Sequence, residues 1–139
     1  LIQKYEIPSQ YLIFEITETT YIHNIEAVNH MIRFFHEKNI RISMDDFGSG
    51  YSSLNTLKDI LFDEVKIAKN FLSDRLTENG KIVLQEIFHL LKRTNKFIVC
   101  EGVETKEMVD FLVVEGCDEL QGYYYYKPME MAKFEQLIG

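Results

Sequence analysis

The sequence predicts an α/β fold built on a parallel sheet, and three observations carry that prediction. Short apolar runs rich in Ile, Val and Phe alternate with segments of helical periodicity. Each run ends on a polar, mostly ionisable residue. No low-complexity stretch or interior linker breaks the alternation, so residues 1–139 read as one domain or part of one. If the runs are parallel strands, their polar ends share one edge of the sheet. That edge is where open α/β sheets and (β/α) barrels carry their active sites.

The elements follow in order. Leu1 to Tyr5 reads as the last turn of a helix, and Pro8-Ser9 punctuates entry to the first strand, where Tyr11-Leu12-Ile13-Phe14 runs into Glu15. Ile25, Val28, Ile32 and Phe35 recur at helical spacing and predict a helix from about 25 to 38, stopped by Asn39. The second strand, Ile40 to Met44, meets Asp45-Asp46 and a glycine-rich turn, which feeds a short helix capped by Ser52 or Ser53. A third strand over Glu64 to Ile67 carries Lys66. Residues 70–80 connect it to a helix from Lys81 to Arg93, whose Val83, Leu84, Ile87, Phe88 and Leu91 make an apolar face. The fourth strand, Phe97 to Cys100, ends at Glu101. Thr105 then caps a helix to Val114 that Gly116 stops, with Met108 and Phe111 in the core. A last strand, from about 119 to 123, carries Gln121 and leads to a closing helix over 132–138. Strand alternation along Tyr123 to Tyr126 predicts two rings inside and two outside, so packing is favoured over base stacking.

The bulk properties exclude several classes. A net charge of −7 argues against a polymeric nucleic-acid binder, which shows a basic face. No apolar stretch approaches the ~20 residues of a membrane span, and no signal-peptide pattern is read in residues 1–139. Two cysteines outside any CxxC pair point to a reducing, cytoplasmic setting. The chain lacks an initiator Met, which suggests that residues upstream have been removed.

The strand ends carry the chemistry. Glu15, Asp45, Asp46 and Glu101 crowded with Lys66 and the Gln121 amide repel one another unless a cation is present. The pattern therefore points to a divalent-metal site acting on an anionic substrate. Hard carboxylate oxygens suit Mg²⁺ or Mn²⁺, and no His or Cys cluster argues for zinc. The histidines at 23, 30, 36 and 89 lack paired spacing and read as surface residues.

In order and spacing, Glu15-Ile16-Thr17-Glu18, Asp45-Asp46-Phe47-Gly48-Ser49-Gly50-Tyr51-Ser52-Ser53-Leu54, Glu101-Gly102-Val103-Glu104-Thr105 and Gln121-Gly122-Tyr123 resemble the EAL-domain family of cyclic-di-GMP phosphodiesterases. The resemblance implies a (β/α)8 TIM-type barrel of which this chain supplies the C-terminal five β/α units. It also implies a two-metal site of Mg²⁺ or Mn²⁺ and hydrolysis of cyclic-di-GMP to the linear dinucleotide. By the same resemblance Glu15, Asp45, Asp46 and Glu101 are metal ligands, while Lys66, Glu101 and Gln121 act on the attacking water. Glu18, Glu104, Gly48, Ser49 and Gly50 belong to the bracing of the loop after Asp46.

Two departures bear on activity. The family's Glu-Ala-Leu motif and an Asn ligand precede the first strand and are not in this sequence, and a complete barrel takes ~250 residues. Where the family reads Lys-Ile-Asp, this chain reads Lys66-Ile67-Ala68. The expectation is a phosphodiesterase segment with negligible turnover by itself. The alternative is a degenerate domain that binds cyclic-di-GMP or another protein. Open sheet edges predict a homodimer or a domain-swapped assembly.

Overall fold

The computed structural model describes residues 2–17, 24–48, 54–72 and 77–139. Glu18, Ser49 and Gly50, the proposed serine caps and His23 lie outside that set. Helices α1 (Ile2–Tyr5), α2 (Ile25–His36), α3 (Leu54–Asp59), α4 (Glu78–Arg93), α5 (Lys106–Val114) and α6 (Met131–Ile138) alternate with strands β1 (Ile13–Ile16), β2 (Arg41–Phe47), β3 (Glu64–Ile67), β4 (Phe97–Glu101) and β5 (Glu119–Gln121).

Local chemistry sets the helix ends. The side chains of Asn24, Thr77 and Thr105 accept hydrogen bonds from the backbone N–H of Ala27, Gly80 and Met108, capping α2, α4 and α5. Lys92 and Arg93 sit in the last turn of α4, where cations meet the negative end of the helix dipole. Beyond α2 and α5 the chain reverses at Asn39 (φ 56°) and Gly116 (φ 82°), left-handed positions that Asn and Gly adopt most readily.

All five strands are parallel and pair in the sequential order β1-β2-β3-β4-β5. Crossovers of one hand that always step the same way lay every connecting helix on the same face. The sheet is therefore an arc of barrel wall rather than a doubly wound sheet, whose strand order reverses. Register assigns its two faces. Ile16, Ile42, Met44, Val65, Ile67, Ile98 and Cys100 meet Val28, Ile32, Leu84, Phe88, Leu91 and Leu112 of the helices in one apolar core. The opposite, concave face carries Glu15, Ser43, Asp45, Glu64, Lys66, Glu101 and Gln121. Sheet alternation thus separates the stabilising residues from the chemical ones.

At the N-terminal end of the sheet, one device occurs twice. Asp63, just before β3, accepts the Ile42 N–H (2.7 Å) and lies 2.8 Å from His36 Nε2, at the end of the helix before β2. Asp118, just before β5, accepts the Ile98 N–H (2.8 Å) and Lys92 Nζ (2.8 Å), in the last turn of the helix before β4. In both cases the aspartate's own N–H returns to the carbonyl of the same isoleucine at 3.0 Å. Each carboxylate locks a helix end and two neighbouring strands into register.

Several expectations need correction. β5 ends at Gln121, because Tyr124 N–H turns back to Val103 O and Tyr125 N–H to Gly122 O. No alternation then applies to the tyrosine run, and Tyr123, Tyr124, Tyr125 and Tyr126 are all exposed. Ile25 and Val83 are also exposed, since they fall at the rims of their apolar stripes. The closing helix α6 is exposed along its length.

Asp63→Ala and Asp118→Ala each strand a buried strand N–H and remove the side-chain partner of His36 or Lys92. Each is expected to cost about 1–3 kcal/mol, read as a lower urea midpoint at unchanged m-value.

Candidate active site

Each strand brings its last residues on the concave face to the C-terminal edge of the sheet. β3 supplies Lys66, whose Nζ stands at the centre: 2.8 Å from Glu15 Oε1 on β1, 3.3 Å from Asp45 Oδ1 on β2 and 2.6 Å from Glu101 Oε1 on β4. The Lys66 side chain is only 10% exposed. Burial by itself would lower its pKa. The hydrogen bonds to Glu101 and Glu15, with the charges of Glu101 and Asp45, outweigh burial and hold the ammonium above the usual lysine range.

Two consecutive aspartates on a regular strand point to opposite faces. β2 escapes that rule through a bulge. Met44 pairs with Val65 and Phe47 with Ile67, so β2 spends one extra residue across the gap. Asp46 sits there at φ 58° and its N–H bonds the Asp45 carboxylate at 3.0 Å. Asp45, Asp46 and Glu101 can therefore each bring a carboxylate oxygen within 4.8 Å of the others, a spacing that admits one metal ion. Glu15 is not in that trio and pairs with Lys66 instead.

Gln121 lies beside Glu101 in the β4–β5 register. Both line a cavity of about 250 Å³ with Lys69, Glu104 and Tyr123. Gly122 lets β5 approach the β4 loop, since a Cβ there would fall 2.1 Å from Val103 O. Gly48 (φ 89°) begins the loop after the aspartates. Of the histidines, His30 and His89 are exposed and His36 joins the Asp63 clamp, so among the described residues none enters the site.

Below Lys66 on the same face is Glu64, 4% exposed, in register with the buried Ser43. Burial raises the Glu64 pKa, and the neighbouring Ser43, Arg41 and Lys66 only partly offset it. Sequence reasoning missed Asp63, Glu64 and Asp118. The repeated order Asp-Glu-apolar-polar in Asp63-Glu64-Val65-Lys66 and Asp118-Glu119-Leu120-Gln121 was the available signal.

Comparison with known proteins agrees with this geometry. The sequence profile described as the EAL domain matches residues 1–128. The chain belongs to the EAL-domain family. It is 35% identical over 138 residues to the signaling protein YkoW of Bacillus subtilis, covering 99% of this chain and 17% of that one. The solved EAL domain of Mycobacterium smegmatis DcpA superposes with a TM-score of 0.90 at 27% identity, covering 98% of this chain and 61% of that one. The Pseudomonas aeruginosa PaMucR phosphodiesterase, solved as a c-di-GMP complex, gives a TM-score of 0.84 at 32% identity, with 96% and 54% covered. The chain thus spans about a sixth of its curated relative and somewhat over half of these solved domains. Its sheet is a partial barrel of the EAL type.

EAL phosphodiesterases are metal-dependent, and the donor set here fits that requirement. Asp45, Asp46 and Glu101 offer only hard oxygen ligands, as Mg²⁺ and Mn²⁺ prefer.

Because the Glu64 pKa is raised, its charged form opposes folding. That penalty is absent below the ordinary glutamate range of about 4.3, grows as pH rises from there towards the raised folded-state value, and levels off above it. Glu64→Gln is therefore expected to raise the melting temperature at pH 7 and leave it nearly unchanged near pH 4, as thermal unfolding at both pH values checks.

Proposed function

We propose that residues 1–139 form the C-terminal portion of one EAL-type barrel domain and carry much of the site at which that domain hydrolyses cyclic-di-GMP to linear pGpG. One observation carries the reading: three strands deliver carboxylates to a single buried ammonium at the sheet's C-terminal edge. A phosphodiester carries negative charge that repels a nucleophile, so its hydrolysis needs concentrated positive charge. Asp45, Asp46 and Glu101 hold a divalent ion, Mg²⁺ or Mn²⁺, with Glu15 nearby as a further ligand of the two-metal set. The bound ion supplies Lewis-acid neutralisation of the phosphate charge. Lys66 orients the attacking water and Glu101 accepts its proton. Gln121 hydrogen-bonds the same water. Glu104 and Gly48, with Glu18, Ser49 and Gly50, brace the loop that follows Asp46.

Ala68 favours a second reading. It is buried immediately after β3, where a carboxylate would otherwise stand near the site. A domain short of that group binds cyclic-di-GMP without turnover and serves as a sensing or interaction module.

The deciding experiment is Mg²⁺- or Mn²⁺-dependent conversion of cyclic-di-GMP by a complete barrel carrying these residues. Linear product that falls at least 100-fold in Glu101→Gln, within the range for loss of an acid–base group, is the expected result. Tight binding with no product at high protein concentration favours the second reading, and neither binding nor product sinks both. The 139 residues alone are expected to turn over little.

Among the described residues β1 and β5 end the sheet with unpaired edges. We infer that two copies meet there as a homodimer or exchange elements. Sedimentation of the 139-residue chain is expected to give twice the monomer mass, and a stable monomer at micromolar concentration counts against it. The free thiols of Cys100 and Cys117 suit a cytoplasmic location. Among the described residues no helix is long and apolar enough to cross a membrane.

A further inference from the structure

We propose that the 3-10 turn Lys69–Leu72, which follows β3, is a strut that sets the spacing of the carboxylates on the two neighbouring strands, with Phe71 as its main positioning residue. The proposal rests on the metal reading of Asp45, Asp46 and Glu101 given above. Those ligands come from β2 and β4, and β3 lies between the two without adding a member to that trio.

The turn leans on the glycine that follows the ligands on each side. Toward β2, Phe71 occupies the space beside Gly48: a Cβ at position 48 would fall 1.6 Å from Phe71 Cε2. The Phe71 ring also stacks on Phe47, with centroids 6.4 Å apart and planes within 8°. Phe47 and Gly48 directly follow Asp46, whose bulged backbone (φ 58°) aims its carboxylate at Glu101. Toward β4, the Lys69 stem lies against Gly102, where a Cβ would meet Lys69 Cβ at 2.4 Å. Gly102 directly follows Glu101.

The turn itself is fixed. Leu72 is 1% exposed in the core, Phe71 N–H bonds Ala68 O at 3.0 Å, and Ala68 N–H bonds Phe47 O at 3.2 Å. A bulge residue held at positive φ keeps its direction only while its surroundings enforce it. Phe71 supplies that enforcement from the C-terminal side of Asp46. Both glycines are needed because any side chain would push the turn away.

The test measures Mn²⁺ affinity of the full chain by calorimetry, with amide exchange at Phe47 and Gly48 read in parallel. Phe71→Ala is expected to weaken Mn²⁺ binding about tenfold or more, the usual effect of losing a group that orients ligands, and to speed exchange at those two amides. Phe71→Leu, which keeps apolar bulk and guards against a misfolded alanine variant, should recover most of the affinity. Leu112→Ala, a core cut away from the turn, should lower the melting temperature while leaving Mn²⁺ affinity unchanged. A folded Phe71→Ala that binds Mn²⁺ like wild type overturns the proposal, as does a Leu112→Ala variant that weakens binding equally. If the wild-type chain takes up no Mn²⁺, the Asp45–Asp46–Glu101 trio does not by itself make a metal site. The exchange measurement then decides the strut alone: selective loss of protection at Phe47 and Gly48 supports it, and unchanged protection overturns it.

Discussion

The arrangement at the sheet edge depends on one cation among several anions. Carboxylates a few ångströms apart repel by a few kcal/mol per pair at an effective dielectric of about 20, less where water screens them, as at the exposed Asp46. Lys66 relieves that repulsion from inside. Its short contacts reach β1, β2 and β4 at once, so one ammonium ties three strand ends together. Removing it would leave the acids to separate or to recruit ions from solution. The same crowding that demands an ammonium also suits a divalent ion, which would share Asp45 and Glu101 with Lys66.

The barrel arc makes this affordable by dividing labour between its faces and its ends. Apolar side chains on one face of the sheet, together with α2, α4 and α5, supply the core. The concave face is then free to carry polar groups. Along β2 to β5 the N-terminal end is fixed by the aspartate clamps and the C-terminal end presents the chemistry. Lys66 lies three residues beyond Asp63 and Gln121 three beyond Asp118, so a clamp at one end dictates where a functional group emerges roughly 10 Å away at ~3.3 Å per residue.

Backbone irregularity does the rest. Regular alternation would turn one of the paired aspartates toward the core, where an unpaired charge is costly. The bulge with Asp46 in the left-handed region returns both to the same side, and the glycines at 48, 102 and 122 leave room for the Phe71 ring, the Lys69 stem and the Val103 backbone. Here the conformations that oppose simple strand geometry lie at the site itself.

Much of this was legible in sequence. Run ends at Glu15, Asp45, Lys66, Glu101 and Gln121 located the edge, because a side-chain period of two and a shared strand direction are local properties. The caps at Asn39, Thr105 and Gly116 were legible for the same reason. The Asp63 and Asp118 clamps were not, since each joins groups 20 or more residues apart. Nor was the fate of the tyrosines, which depends on where Val103 turns the chain. Glu15 shows the limit most clearly: sequence placed it at the right edge, but only three-dimensional packing gave it Lys66 rather than a place in the trio. Sequence by itself determined the order of strands and helices and which residues reach the edge, since both follow from short-range periodicity. Only the tertiary structure decided which carboxylates come within reach of one another, because that distance is set by the β2 bulge, the strand register and the turn wedged between neighbouring loops.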